Sequence, residues 1–271
     1  MKTGYEAVFQ DGAAYERFMG RWSRLTGQPF VDWLQIPPRR IWLDVGCGTG
    51  AFTEVILASC DPKAVIALDP SEQHLAYAKS RTQDKRVNFI MGDATAIEAE
   101  DHAFDVCTAA LVLNFISLQG KALAEMSRVV RPGGTVAAYV WDFAGRRSLS
   151  QHLWDAIASI SPDAEAVRRN TLQVEASHPD TLARLFRAQS LADIRITSLD
   201  IRVTFESMDD YWTSNTDFSS AAGLYCRSLP IEQLSGLRRT LQTTLPAGEK
   251  GEISFPARAW AIQGTVSLHR H

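Results

Sequence analysis

Residues 44 to 50, Asp44-Val45-Gly46-Cys47-Gly48-Thr49-Gly50, form a glycine-rich stretch that decides how this chain folds. The stretch overlaps the end of a short apolar run, Ile41–Val45, and precedes a segment of helical character, Ala51–Ser59. Glycine permits sharp turns and close approach of a ligand to the backbone, and the start of a helix presents N–H groups without intrahelical partners. The stretch therefore predicts a ligand-binding turn between a strand and a helix, with a purely structural turn as the weaker alternative.

Outward from this turn, apolar runs alternate with helical segments. Near-continuous apolar runs of this length are typical of parallel strands buried on both faces. The alternation predicts right-handed crossovers and a Rossmann-like, doubly wound α/β sheet. The further strands are predicted at Val65–Leu68, Val87–Met91, Phe104–Leu111 and Thr135–Trp141, and the further helices at Ser71–Ser80 and Gln119–Val130, with Arg131-Pro132-Gly133-Gly134 ending the last helix.

After Trp141 the alternation changes, and longer helical segments predominate. We predict one domain over residues 1–271, with a helical N-terminal cover (1–40), a ligand-binding core (41–141) and the remaining sheet with helical insertions (142–271). The cover segments are expected over the C-terminal edge of the sheet, where ligands of open α/β sheets bind. Helices are predicted at Ser148–Ile160, Pro162–Gln173, Pro179–Ala188 and Asp209–Leu245, and strands at Ile194–Phe205 and Ser254–Val266.

Composition narrows the classes of function. Of the 271 residues 45% are hydrophobic and 22% charged, a globular balance, and the net charge of −3 with a pI near 6.1 lacks the basic footprint of a nucleic-acid binder. The longest uncharged run, Val106 to Gly120, is too short for a membrane span, and the N-terminus has no apolar signal region. Four scattered cysteines and histidines without ligand spacing favour a cytoplasmic protein with no metal site. The oligomeric state is not indicated.

Acidic residues follow three successive predicted strands. Asp69 closes the second strand, 19 residues after Gly50, where a carboxylate can accept hydrogen bonds from ribose hydroxyls. Gly46, Gly48 and the following Ala51 also satisfy the dinucleotide fingerprint, so an NAD-dependent oxidoreductase remains an alternative. Asp44 would repel a pyrophosphate but attract a cationic sulfonium with an α-ammonium group. A carboxylate at Asp93, after the third strand, could accept from an adenine amino group. The acids together favour S-adenosylmethionine.

Residues 40–141 resemble a class I S-adenosylmethionine-dependent methyltransferase. The motifs DVGCGTG, ALDPS, GDA, FDVCTAALVLNF and RVVRPGG occur in the order and at the spacing of that family. The resemblance implies a mostly parallel seven-stranded sheet whose last strand runs antiparallel, here Ser254–Val266. It also implies that the glycines hold the methionine part, Asp69 and Pro70 the ribose, Asp93 and Ala94 the adenine, and that the backbone at Ala110 and Leu111 lies against the methionine part.

Methyl transfer depends chiefly on positioning, because the donor is already activated and a base is needed only for some acceptors. Two weak catalytic candidates are Asn114, which a loop-capping role explains equally well, and His74, which a structural role explains at least as well. Arg21, on an N-terminal helix, is a candidate for the methionine carboxylate, with a solvated basic face as the alternative. Trp22 and Trp141, with Asn114, are predicted to border the acceptor pocket. The acidic pI and the cover segments predict a small-molecule acceptor; a non-catalytic S-adenosylmethionine-binding protein stays an alternative.

Overall fold

The computed structural model describes residues 16–145, 147, 149–171, 177–216 and 221–267. Its seven strands form one sheet in the order β3-β2-β1-β4-β5-β7-β6. The strands are β1 Ile41–Val45, β2 Ala64–Asp69, β3 Val87–Met91, β4 Phe104–Ala110, β5 Val130–Trp141, β6 Ala192–Phe205 and β7 Ile253–Thr265. Strand β7 is antiparallel to both of its neighbours, whereas every other pair along the sheet is parallel. The predicted sheet, including its antiparallel last strand, is confirmed.

Helices connect and cover these strands. A π-helical turn, Glu16–Gly20, leads directly into the first α-helix, and a 3₁₀ turn, Leu113–Phe115, follows β4. The α-helices are α1 Arg21–Leu34, α2 Ala51–Ser59, α3 Glu72–Arg81, α4 Gln119–Val129, α5 Gln151–Ala158, α6 Ala164–Thr171, α7 Pro179–Ala188, α8 Met208–Thr216, α9 Ala221–Ser228 and α10 Ile231–Thr244. Over the described ranges, none of the helices combines the length and the apolarity needed to cross a membrane.

The core lies on both faces of the sheet, because successive strand residues point to opposite sides. Trp42 of β1 belongs to the cluster on one face and its neighbour Leu43 to the cluster on the other; both are fully buried. On the Trp42 face, Phe30 of α1 is also fully buried, and its ring lies 4.7 Å from that of Tyr139 in β5 and 5.7 Å from that of Phe52 in α2. Helix α1, predicted as cover, is therefore also part of the main hydrophobic core.

The predicted start of β5 at Thr135 is wrong. Residues 131–134 were expected to stop a helix, but they belong to β5, because Val130 already pairs with Phe104 in the parallel ladder. Gly133 N donates to Val266 O, and a Cβ at Gly134 would lie 2.6 Å from Asp105 O, so glycine fits this close packing of strands. The long helical stretch Asp209–Leu245 is three helices, α8, α9 and α10, with Pro230 as the residue before α10. The end of the predicted Pro162–Gln173 helix lies outside the described residues.

The fold positions a site because parallel strands end at a common edge. Val45 of β1 pairs with Leu68 of β2 and Ala109 of β4, and Ala110 pairs with Tyr139 of β5. The residues that follow these positions consequently meet at the C-terminal edge of the sheet, where ligands of open α/β sheets bind.

Candidate functional site

The glycine-rich turn is held at this edge by backbone geometry that requires glycine. Gly46, Gly48 and Gly50 have φ values of +70°, +53° and +84°, in the left-handed region. Gly46 N and Cys47 N both donate to Leu68 O at the end of β2, at 2.7 and 3.0 Å. A Cβ at Gly46 would lie 2.5 Å from the side chain of Val112. The turn therefore passes tightly between the ends of β2 and β4 and delivers the N-terminus of α2 to the sheet edge.

Asp44, next to this turn, is a buried carboxylate that is only half satisfied. One oxygen accepts a 2.6 Å hydrogen bond from Thr53 Oγ1 in α2, whereas the other, Oδ1, has no hydrogen-bond partner within the described part of the chain. Burial raises the pKa of Asp44 to about 7, the Thr53 hydroxyl opposes that shift, and the charge of Asp69 adds to it. An unpartnered buried carboxylate oxygen costs free energy, and a donor or cation placed against it would recover that energy.

Asp69 is fixed at the end of β2 by backbone donors. Its two oxygens accept from Gly48 N at 2.8 Å and from Ser71 N at 2.9 Å. The side chain of Ser71 in turn caps α3 by accepting from His74 N. His74 is 3% exposed, and its Nδ1 lies 3.8 Å from Asp69 Oδ1. The structure thus brings His74 beside the carboxylate predicted to bind ribose, with Pro70 between them in the chain.

Asp93 and Ala94 lie one strand further along the edge. Asp93 is exposed, and its Oδ1 accepts from Thr95 N at 2.7 Å, which orders the turn after β3. The preceding Gly92 N donates to Asp69 O at 3.2 Å. Ala94 is half-buried against the core. The three predicted acids therefore lie at the C-terminal ends of neighbouring strands: Asp44 is in β1, Asp69 is the last residue of β2, and Asp93 comes two residues after β3.

The chain after β4 combines an unusual backbone with a buried polar side chain. Leu111 has a φ of +59°, a conformation that a leucine adopts only under constraint, and its N–H donates to Tyr139 O at 2.8 Å. Three residues later, Asn114 is 1% exposed, and in the described ranges neither its amide nitrogen nor its amide oxygen has a hydrogen-bond partner. Such residues cluster at functional sites because strain and unsatisfied groups are otherwise eliminated.

The predicted acceptor-pocket tryptophans lie beneath the N-terminal segment. Trp141, 1% exposed at the end of β5, points its Nε1 at Met19 Sδ, 3.3 Å away. Trp22 of α1 is also buried and packs edge-on against Phe205, with ring centroids 5.2 Å apart. Both side chains belong to the main core cluster, so the N-terminal segment covers this end of the sheet. Their role as pocket walls stays a prediction.

Arg21 has partners other than the glycine turn. Its guanidinium donates to both carboxylate oxygens of Asp210, at 3.0 and 3.2 Å, and to Ser214 Oγ at 2.9 Å. It also lies 4.7 Å from the ring centroid of Phe205. Burial alone would raise the pKa of Asp210, but hydrogen bonds, foremost that from Arg21, bring it below its usual value. In this structure Arg21 joins α1 to α8.

Arg24 is the basic residue of α1 that the structure links to the glycine turn. Its Nε donates to Glu54 Oε2 of α2 at 2.7 Å, and its Nη1 pairs with Glu16. The other oxygen of Glu16 accepts from Thr49 Oγ1, inside the turn, at 3.0 Å. Sequence reasoning missed Glu16 and Arg24 because helical spacing groups Arg17, Arg21 and Arg24 together. It does not tell which of them faces the turn, which depends on the rotation of α1.

Comparisons with known proteins agree with this geometry. A family profile described as a methyltransferase domain matches residues 43–138. The chain is 29% identical over 219 residues to the malonyl-[acyl-carrier protein] O-methyltransferase of Methylococcus capsulatus, a match covering 72% of this chain and 75% of that protein. It is 42% identical over 115 residues to the demethylmenaquinone methyltransferase of Renibacterium salmoninarum, covering 42% of this chain and 45% of that one. The second match thus spans less than half of either protein.

Solved structures share the fold at low sequence identity. The YcgJ protein of Bacillus subtilis superimposes with a TM-score of 0.60 at 18% identity, over 90% of this chain and 99% of that one. A phosphoethanolamine N-methyltransferase of Haemonchus contortus, in complex with S-adenosyl-L-methionine, gives a TM-score of 0.62 at 16% identity, over 98% of this chain and 59% of that one. These likenesses concern the fold.

Proposed function

We propose that this chain, whose residues 43–138 match a methyltransferase domain profile, is a class I S-adenosylmethionine-dependent methyltransferase that transfers a methyl group to a small-molecule acceptor. The observation that carries the proposal is Asp44 Oδ1, a buried carboxylate oxygen without a partner, beside a glycine turn at the edge of the sheet. A cationic donor suits this oxygen, whereas the pyrophosphate of a dinucleotide would be repelled by it.

The residues present fit this cofactor. Asp69, held by Gly48 N and Ser71 N, keeps lone pairs with which to accept from a ribose diol. The left-handed φ angles of Gly46, Gly48 and Gly50 let the backbone itself face a ligand closely, and at Gly46 the neighbouring Val112 side chain excludes any Cβ. We propose that Asp93 and Ala94 border the adenine and that the backbone at Ala110 and Leu111 borders the methionine part. When bound, S-adenosylmethionine supplies a methyl group already activated on a sulfonium.

The protein's own contribution to the reaction is then to position the acceptor and exclude water. Tyr139, Trp141 and Leu113 are all almost completely buried, so the sheet edge near β4 and β5 is a dry environment. A dry site strengthens electrostatic interactions and favours an aligned displacement. Asn114 offers one amide donor group and one acceptor oxygen there, both without partners, and we propose that it orients the acceptor.

The relatives do not fix the acceptor. Their names record methylation of a malonyl group on a carrier protein and of demethylmenaquinone, two different acceptors. The net charge of −3 is consistent with a small molecule and unfavourable for nucleic acid.

Transfer of a labelled methyl group tests the proposal. The purified protein is incubated with methyl-labelled S-adenosylmethionine and, separately, with an extract of small molecules, a protein fraction and RNA. We expect label in the small-molecule arm only. Label appearing solely in protein or RNA would contradict a small-molecule acceptor.

The Asn114→Ala variant then tests the acceptor role with the compound so identified. We expect kcat/KM for that compound to fall by roughly a hundredfold, as for the loss of a buried hydrogen-bonding group, while the cofactor Kd stays unchanged. Ala110 and Leu111 remain in place in this variant, so a loss of cofactor affinity equal to the loss of turnover would instead assign Asn114 to the cofactor site.

A further inference from the structure

Glu16 places a carboxylate directly on the glycine turn. One of its oxygens accepts from Thr49 Oγ1 at 3.0 Å, and the other pairs with the Arg24 guanidinium. Thr49 is 1% exposed, and the Glu16 side chain is 18% exposed, so the contact is largely shielded from water. A residue of the N-terminal π-helical turn is therefore bonded into the middle of the Gly48–Gly50 segment.

The environment of this carboxylate is one that recognises carboxylates in general. A hydroxyl donor and a guanidinium, both partly buried, form charge-assisted hydrogen bonds with any carboxylate of suitable position. Arg24 also has spare capacity, because its Nη2 is buried and has no hydrogen-bond partner among the residues that the structure describes. Glu54, on the far side of Arg24, holds the guanidinium in place through Nε at 2.7 Å. The pair of Thr49 and Arg24 thus constitutes a preformed carboxylate subsite.

We propose that Glu16 is an internal competitor for this subsite, which would otherwise receive the carboxylate of the amino-acid part of the cofactor. The inference rests on the proposed function, because it assumes that an S-adenosyl amino acid binds at the glycine turn. Cofactor binding then requires that Glu16 leave Thr49 and Arg24. Only molecules in which Glu16 has left can bind, so the apparent affinity for the cofactor falls as the fraction with Glu16 bound to Thr49 and Arg24 rises.

Gly20 allows the Glu16 carboxylate to reach Thr49, because a side chain at this position would occupy the same space. A Cβ at Gly20 would lie 2.1 Å from Glu16 Oε2, so the carboxylate reaches Thr49 by passing over a residue without a side chain. Gly20 has helical backbone angles, φ −58° and ψ −42°, which alanine adopts readily. A Gly20→Ala substitution therefore displaces the Glu16 carboxylate without removing it and without straining the backbone.

Calorimetric binding of two ligands tests the proposal. S-adenosylhomocysteine carries the amino-acid carboxylate, whereas 5′-methylthioadenosine has the adenosine part without it. We expect Glu16→Ala to lower the Kd of S-adenosylhomocysteine by about fivefold and Gly20→Ala to lower it in the same direction, with the Kd of 5′-methylthioadenosine unchanged in both variants. Unchanged binding of the second ligand also shows that the variants are folded.

Glu54→Ala is the matched control. It removes the other carboxylate on Arg24, and so makes the same change in net charge, but leaves the Glu16–Thr49 contact intact. We expect no tightening in this variant. In an Arg24→Ala background, removal of Glu16 should lose most of its effect, since the two residues act on one subsite.

The outcomes separate the two proposals. If Glu16→Ala weakens binding of S-adenosylhomocysteine and spares 5′-methylthioadenosine, Glu16 is a direct ligand and the competitor proposal is overturned. Equal tightening by Glu16→Ala and Glu54→Ala would reduce the effect to net charge, which also overturns it. If the unmodified protein binds neither ligand, the proposed function itself fails.

Discussion

At the scale of single residues, the complete burial of Asp44 costs stability. Its pKa of about 7 lies well above the usual 3.8, because burial disfavours the charged form. The folded state therefore holds a proton that the unfolded state has already released between about pH 4 and pH 7. The contribution of Asp44 to the free energy of unfolding therefore falls as pH rises through this window. Above pH 7 the destabilisation caused by the buried charge is fully present.

Asp44→Asn should remove this cost. The amide keeps the shape of the carboxylate but does not ionise, so we expect the variant to gain stability relative to the parent as pH rises from 5 to 8, by up to a few kcal/mol at about 1.4 kcal/mol per pKa unit. Urea unfolding of both proteins across that pH range measures the difference. A stability difference that does not change with pH would show that Asp44 stays ionised throughout.

Several site residues were predictable because their positions follow from periodicity. An acid that closes a parallel strand must lie at the C-terminal sheet edge, which is why Asp69 and Asp93 could be assigned from sequence. Glu16 and Arg24 could not, since their contact with Thr49 depends on the π-helical turn and on how α1 is rotated. The near-neutral pKa of Asp44 could not be predicted from the sequence either, because it arises from complete burial of the carboxylate and from the nearby charge of Asp69.

At the scale of elements, α1 is both a cover and a part of the core. Trp22, Phe30, Val31 and Leu34 are buried on one side of the helix, whereas Leu25 is 43% exposed. Arg21 ties the same helix to α8 through Asp210. A helical cover over residues 1–40 was predicted from the sequence, but the depth to which Phe30 enters the core depends on its contacts with Phe52 and Tyr139.

Phe30→Ala tests how deeply α1 is embedded. Removal of a fully buried phenylalanine leaves a cavity, and we expect the free energy of unfolding to fall by about 3–5 kcal/mol. Leu25→Ala on the exposed side of the same helix is the control, expected to change stability by less than about 0.5 kcal/mol. Denaturant titration measures both. If Phe30→Ala proves as mild as the control, α1 is a detachable cover after all.

The elements that sequence reasoning misplaced have identifiable causes. Residues 131–134 contain proline and two glycines, the usual signals for the end of a helix. The helix ends before them, at Val129, and the strand has already begun at Val130. The helix therefore stops where the local signals indicate, but pairing with β4 and the hydrogen bond from Gly133 N to Val266 O start the strand at Val130 instead of Thr135. Such tertiary pairing is invisible to a local pattern.

At the scale of the whole molecule, the two halves of the chain differ in how much they reveal. The methyltransferase profile matches residues 43–138, which hold the glycine turn and the acids. The helices after β5 carry aromatic residues but no recognisable motif. The fold could therefore be predicted from residues 41–141, whereas the sequence that follows them does not indicate an acceptor.

Calorimetric titration with S-adenosylmethionine and with NAD tests the central claim most directly, because it asks which ligand the glycine turn and the strand-end acids hold. The account predicts saturable 1:1 binding of S-adenosylmethionine and no heat with NAD. Asp69→Asn, which keeps an acceptor oxygen for only one of the Gly48 and Ser71 N–H groups and loses the charge, should weaken that binding by about 1.5–3 kcal/mol. Saturable NAD binding without S-adenosylmethionine binding, or undiminished affinity in the folded Asp69→Asn variant, would contradict it.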